Sequence, residues 1–99
     1  MQDFKNLLVW KKSIKLISDI YKLTALFPSE EKYNLTSQTR RAVVSISNNI
    51  AEGCGKYTPK DFANFLQISL GSTCEVENCL LISKELLYLN QADFDILNN

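Results

Sequence analysis

One stretch, Thr36 to Lys56 (TSQTRRAVVSISNNIAEGCGK), gathers the residue types that could do specific chemistry. It holds the adjacent arginines Arg40 and Arg41, the adjacent asparagines Asn48 and Asn49, the acid Glu52, and Lys56 beyond a pair of glycines. Arginine offers a planar fork of donors that matches carboxylate and phosphate. An amide offers a donor and an acceptor at fixed geometry. On a helix turning about 100° per residue, Gln38, Arg41, Ser45, Asn48, Asn49 and Glu52 share an arc of roughly 100°. Arg40 and Ser47 fall on the far side with Val44 and Ala51. Solvated helix faces usually carry Lys and Glu, whereas this stripe carries Asn, Ser and Gln. Three uses compete. The stripe can be a structural polar network in which Arg41 pairs with a carboxylate and Glu52 ties down the following loop. It can belong to a subunit contact or a pore lining. Or Arg40, Arg41, Asn48 and Lys56 can touch phosphates or bases.

Other chemistries find little support. There is no histidine, which removes the commonest general base, the usual zinc nitrogen ligand and every Ser-His or Cys-His pair. Cys74 and Cys79 are five apart on a helix and point in different directions, and no CxxC occurs, so no metal site is expected. Cys54, between two glycines, is the candidate reactive thiol, set against an incidental loop cysteine. Glu75 and Glu77 read as solvated or ion-paired acids. Tyr33, Tyr57 and Tyr88 could stack bases, but aromatics near helix ends commonly seal the rim of a bundle. The GCG before Tyr57 is not the glycine-rich phosphate cradle GxxxxGK[ST]. No cofactor, small-molecule substrate or enzymatic activity is expected.

The elements that would position these residues are helices. From Phe4 to Phe27, Leu7, Val9, Trp10, Ile14, Leu16, Ile17, Ile20 and Tyr21 cover about half the circumference of a helix, more than one neighbour requires. Phe27-Pro28 stops it. A second helix starts near Leu35-Thr36 and puts Leu35, Thr39, Ala42, Val43, Ile46 and Ile50 on one face. Gly53 and Gly55 are expected to end it, with glycine in a left-handed cap. Thr58-Pro59-Lys60-Asp61 opens a third helix with an N-cap threonine and proline at the first position. Ser69, Thr73, Val76, Leu80, Ser83 and Leu87 then form a seam that is expected to reach Leu89. Gly71 inside it costs about 1 kcal/mol against alanine, tolerable where another backbone comes close. Asn90-Gln91-Ala92-Asp93 caps a fourth helix that Phe94, Ile96 and Leu97 follow. It is either a stub or a helix cut where the sequence ends.

Ninety-nine residues, 45% hydrophobic and 22% charged, fit one small domain spanning residues 1–99. No apolar run is long enough to span a bilayer, no secretory leader is apparent, and three unpaired cysteines fit a reducing cytoplasm. Net charge is zero but polarised. Residues 1–60 carry ten Lys/Arg against five Asp/Glu, while 61–99 carry one against six. Such a chain can meet nucleic acid with its basic part, or pair its halves within a bundle or between subunits.

Several motifs carry a resemblance. They are L-x-V-W-K-K at 7–12, F-P at 27–28, Y-N-L-T-S-Q-T-R-R-A at 33–42, S-x-S-N-N-I-A-E-G at 45–53, K-D-F-x-x-F-L at 60–66 and G-S-x-x-E-V-E at 71–77. Together they resemble the bacterial four helix bundle protein family, also called the 23S rRNA-intervening sequence protein family. The resemblance implies an all-α, antiparallel up-down four-helix bundle, here three long helices and a short or truncated fourth, that assembles into a homopentameric ring. It brings no established activity. It places Arg40, Arg41, Asn48, Asn49 and Glu52 among the characteristic residues. Related accessory proteins of diversity-generating retroelements form basic pentameric barrels that bind a reverse transcriptase and nucleic acid. This chain departs in its neutral charge and in its short end after Asp93. The wide apolar faces of the first and third helices independently call for partners beyond one small bundle. The expected function is therefore a non-enzymatic self-assembling scaffold. The alternative is a nucleic-acid-binding accessory protein using Arg40, Arg41 and Lys56 on RNA or DNA.

Overall fold

Helical periodicity becomes helix over most of the chain, and polar side chains cap three of the element starts. The computed structural model describes residues 3–98, with side chains through Asp95. The Asp3 carboxylate accepts the Lys5 backbone N–H at 3.1 Å and opens a 3-10 turn at Phe4–Asn6. Leu7 is extended, so the first long helix, α1, runs Leu8–Thr24 and is shorter at both ends than its apolar pattern predicts. The Phe4 ring folds back edge-on against Trp10, with centroids 5.4 Å apart. The chain past Thr24 tightens into i→i+3 bonds from Leu26 and Phe27, which buries Phe27 before Pro28 turns it.

A 3-10 turn at Ser29–Glu31 leads into α2, Leu35–Cys54. The predicted face Leu35, Thr39, Ala42, Val43, Ile46 and Ile50 is buried throughout. The expected glycine stop is different. Gly53 lies inside the helix, and a Cβ added there would meet Phe65 Cβ at 2.8 Å. Gly55 caps the end at φ −81°, a right-handed value that any residue reaches. Gly53 is thus a packing glycine, and the terminus needs no left-handed residue.

α3, Pro59–Glu85, starts where the sequence says, with Thr58 Oγ1 accepting the Asp61 N–H at 3.1 Å. It stops short of Leu89. Tyr88 N–H bonds the Ser83 carbonyl at 2.8 Å and Leu87 N–H the Lys84 carbonyl at 3.0 Å, with Leu87 at φ 65°. This is a left-handed helix end without glycine. Leu87, expected in the seam, is 88% exposed, and Thr73 is also exposed, while Ser69, Val76, Leu80 and Ser83 are buried. Gly71 has open space around it, with no backbone close by among the described residues. Asn90 Oδ1 accepts the Asp93 N–H at 2.8 Å and caps the short α4, Gln91–Asn98. Ile96 and Leu97, predicted on α4, have side chains outside the described residues.

α2 is the central helix, packed against α1 on one side and, most extensively, against α3 on the other. The α2–α3 register is antiparallel: Ser45 meets Ser72, the Ile46 carbonyl meets Ser69, and Gly53 meets Phe62 and Phe65. The core joins Ile20 of α1, Val43, Ile46 and Ile50 of α2, and Val76, Cys79 and Leu80 of α3. Ile20, Val43 and Ile50 are essentially inaccessible, each worth roughly 1.5–3 kcal/mol of burial. α4 closes one end with Phe94, and the Lys84 ammonium lies 5.1 Å from that ring. The result is an all-α antiparallel bundle measuring 44 × 23 × 17 Å, with three long helices and a short fourth.

Candidate functional site

The polar stripe of α2 divides in two. Ser45 and Asn49 turn toward α3. The Asn49 amide donates to the Ser45 carbonyl at 2.8 Å and to Ser45 Oγ at 3.0 Å, and Ser45 Oγ lies 3.0 Å from Ser72 Oγ. Ser69 adds a bond from its hydroxyl to the Ile46 carbonyl, also 3.0 Å. Ser69 stands in the predicted seam of α3 and Ser72 in its G-S-x-x-E-V-E motif, and the antiparallel register brings both to α2. Gln38, Arg41, Asn48 and Glu52 are exposed, and their side chains make no hydrogen bond or ion pair with the described residues. The structure therefore joins Ser45 and Asn49 in one small network and leaves the other four facing outward.

Arg40 is half-buried and tied to α1. Its Nε donates to Thr24 Oγ1 at 2.8 Å, its Nη2 to the Tyr21 carbonyl at 3.2 Å, and its plane lies 4.5 Å from the Tyr21 ring centroid. Thr24 is buried, and its hydroxyl donates back to the Ile20 carbonyl at 2.7 Å, leaving a lone pair for Arg40. Arg40 and Arg41 line one open groove with Tyr21, Lys32, Thr36 and Ser37. Lys56 is elsewhere: sixteen residues beyond Arg40, about 24 Å along a helix axis, with its ammonium 5.3 Å from the Phe65 ring. The three cations proposed for nucleic-acid contact thus occupy two ends of α2.

At that second end, a shallow pocket is lined by Gly53, Cys54, Lys56 and Phe62. Cys54 is the last residue of α2 and is buried, so it is not an open loop cysteine. Burial first, and then the negative charge of Asp3, push its thiol up from the ordinary value, which disfavours the nucleophilic thiolate. Cys79 is also buried and Cys74 is exposed. Among the described residues, no three His, Cys, Asp or Glu side chains are grouped to hold a metal. No described helix is long and apolar enough to cross a membrane. Of the three tyrosines considered for base stacking, Tyr88 packs at 5.5 Å from Phe27 and donates its hydroxyl to Glu31 Oε2 at 3.0 Å, while Tyr33 and Tyr57 stand exposed.

Among curated proteins, none is detectably similar in sequence to this chain. A family model describes it nearly end to end: residues 5–99 match 23S rRNA-intervening sequence protein, and the chain belongs to that family.

Proposed function

We propose that this chain is a non-enzymatic, self-assembling helical scaffold whose partner is a further copy of itself. One observation carries the reading. On α3 the buried seam of Ser69, Val76, Leu80 and Ser83 is flanked on one side by Ile68, Ile82 and Leu86 and on the other by Leu70 and Leu81. At 100° per residue these flanks stand about 90–130° from the seam. Their side chains are between 40% and 58% exposed. Rows of large apolar side chains on both flanks of one helix mark an interaction surface. α1 adds the exposed side chains of Leu8, Val9 and Ile14.

Charge selects the occupant. The open side of α1 is basic, with Lys11, Lys12, Lys15 and Lys22 exposed, while α3 displays Glu75, Glu77 and Glu85. A basic α1 and an acidic α3 on one chain favour a head-to-tail contact, which closes into a ring where the rotation allows. Five copies is the number that the family resemblance implies. Sedimentation velocity on a Leu70→Glu/Leu81→Glu variant tests the reading. Both side chains are exposed, so circular dichroism should keep its helical signal while the assembly falls to an 11.3 kDa species. Sedimentation identical to that of the unsubstituted protein would refute α3 as the contact.

A further inference from the structure

We propose that the groove between the last turns of α1 and the first turns of α2 is a binding site for a phosphate group. The phosphate is either free or borne by a nucleotide or a phosphodiester strand. The groove is open, with a volume of about 490 Å³, and is lined by Tyr21, Lys32, Thr36, Ser37, Arg40 and Arg41 among others.

Its cations are in no ion pair among the described residues. Among the described residues, no carboxylate lies within 4.0 Å of Lys32, Arg40 or Arg41. The nearest acid in sequence, Glu31, accepts from the Tyr88 hydroxyl and makes no ion pair with these cations. Arg40 is set in advance by Thr24 and the Tyr21 carbonyl, which use Nε and one Nη2 hydrogen. Both Nη1 hydrogens and the second Nη2 hydrogen remain, a fork suited to a tetrahedral oxyanion.

The start of α2 adds backbone donors. Asn34 gives no side-chain cap, and no described acceptor pairs with the N–H groups of Thr36 and Ser37. A twenty-residue helix directs the positive end of its dipole at the same place. A separate feature points to a ligand. Thr36 is 93% buried by its 7% exposure, yet its hydroxyl has no hydrogen-bond partner among the described residues and lines the groove. Among the described residues no buried polar side-chain atom lacks a partner, so this hydroxyl opens into the groove, where a phosphate oxygen held between Arg40 and the α2 terminus would take the place of water.

The test is a ¹⁵N NMR titration of the full chain with sodium phosphate, against sodium chloride at matched ionic strength. Saturable shifts centred on Thr36, Ser37 and Arg40 support the site. Arg40→Gln should weaken binding about tenfold or more, and Arg41→Gln and Thr36→Val several-fold, as expected for charge-assisted bonds. Lys56→Gln, at the other end of α2, should change nothing. Should Arg40→Gln fail to fold, Arg41→Gln and Thr36→Val still decide, since neither removes a bond within the protein. Parallel titrations with a nucleoside monophosphate and a thymidine oligonucleotide identify the source. Tightest binding of the oligonucleotide assigns a strand, and equal binding of all three assigns the phosphate alone. Non-saturating shifts, equal shifts with chloride, or a Lys56→Gln loss matching that of Arg41→Gln would overturn the proposal.

Discussion

Arg40 reaches across from α2 and stacks on Tyr21 of α1 at 4.5 Å, while its Nη2 holds the Tyr21 backbone carbonyl. One side chain thus joins two helices through ring, carbonyl and the Thr24 hydroxyl. Arg40→Ala should destabilise the fold by roughly 1–2 kcal/mol through the lost charged hydrogen bonds and stacking. Thr24→Val should cost less and should not add fully to Arg40→Ala, because both break one bond. Urea denaturation of the two single variants and the double variant measures the coupling. Full additivity would show that the Arg40–Thr24 bond contributes nothing.

Two glycines should respond oppositely to alanine. Gly53→Ala places a Cβ 2.8 Å from Phe65 Cβ and 3.3 Å from the Phe62 ring, so α2 and α3 must separate. The expected cost is roughly 1–3 kcal/mol, as for other overpacked contacts. Gly71→Ala meets open space in mid-helix and should stabilise by about 0.5–1 kcal/mol. Thermal melts of both variants check the signs. A loss at Gly71 would contradict the open surroundings and place a neighbouring copy's backbone against it.

Leu87 holds a left-handed backbone, φ 65°, with its side chain almost wholly in solvent. Such a conformation costs a branched residue about 1 kcal/mol that glycine does not bear. Leu87→Gly should therefore raise stability by about that amount in a denaturant titration. A lower midpoint would mean that the Leu87 side chain is held in a contact.

What the sequence displayed depends on where each signal resides. The Thr58 and Asn90 caps and the Leu35–Ile50 stripe are local patterns, and each appears where the residues put it. The end of α3 was not legible, because neither glycine nor proline marks Leu86–Leu87 and the stop comes from the Tyr88 and Leu87 amides turning back. Gly53 looked like a helix stop because glycine after an apolar run usually is one. Its reason, the approach of Phe62 and Phe65, lies on another helix. The same holds for the site residues. Arg40 read as an outward cation until Thr24 and Tyr21, sixteen and nineteen positions away, were beside it. Ser72, the partner of Ser45, stood in the G-S-x-x-E-V-E motif, but its contact with α2 depends on the register of the two helices.

Tyr88 gives the fold an alkaline limit. Its hydrogen bond to Glu31, then burial and the charges of Glu31 and Glu30, raise its hydroxyl above the ordinary value of 10.0. The folded state thus holds this proton more tightly than the unfolded state. The stabilisation is fully present below pH 10 and is lost as pH rises through the higher folded value. Melting temperatures of the unsubstituted protein and of Tyr88→Phe, followed upward from pH 8, should differ by a constant amount up to pH 10 and converge above it. A gap that stays constant through the alkaline range would contradict the assignment.

Self-assembly is the central claim, and the mass in solution tests it most directly. Size-exclusion chromatography with light scattering at micromolar concentration should return a multiple of 11.3 kDa, with five copies as the expected number. A mass of 11.3 kDa, constant across concentration, would mean that the apolar flanks of α3 face water in an isolated chain, and the scaffold reading would not stand.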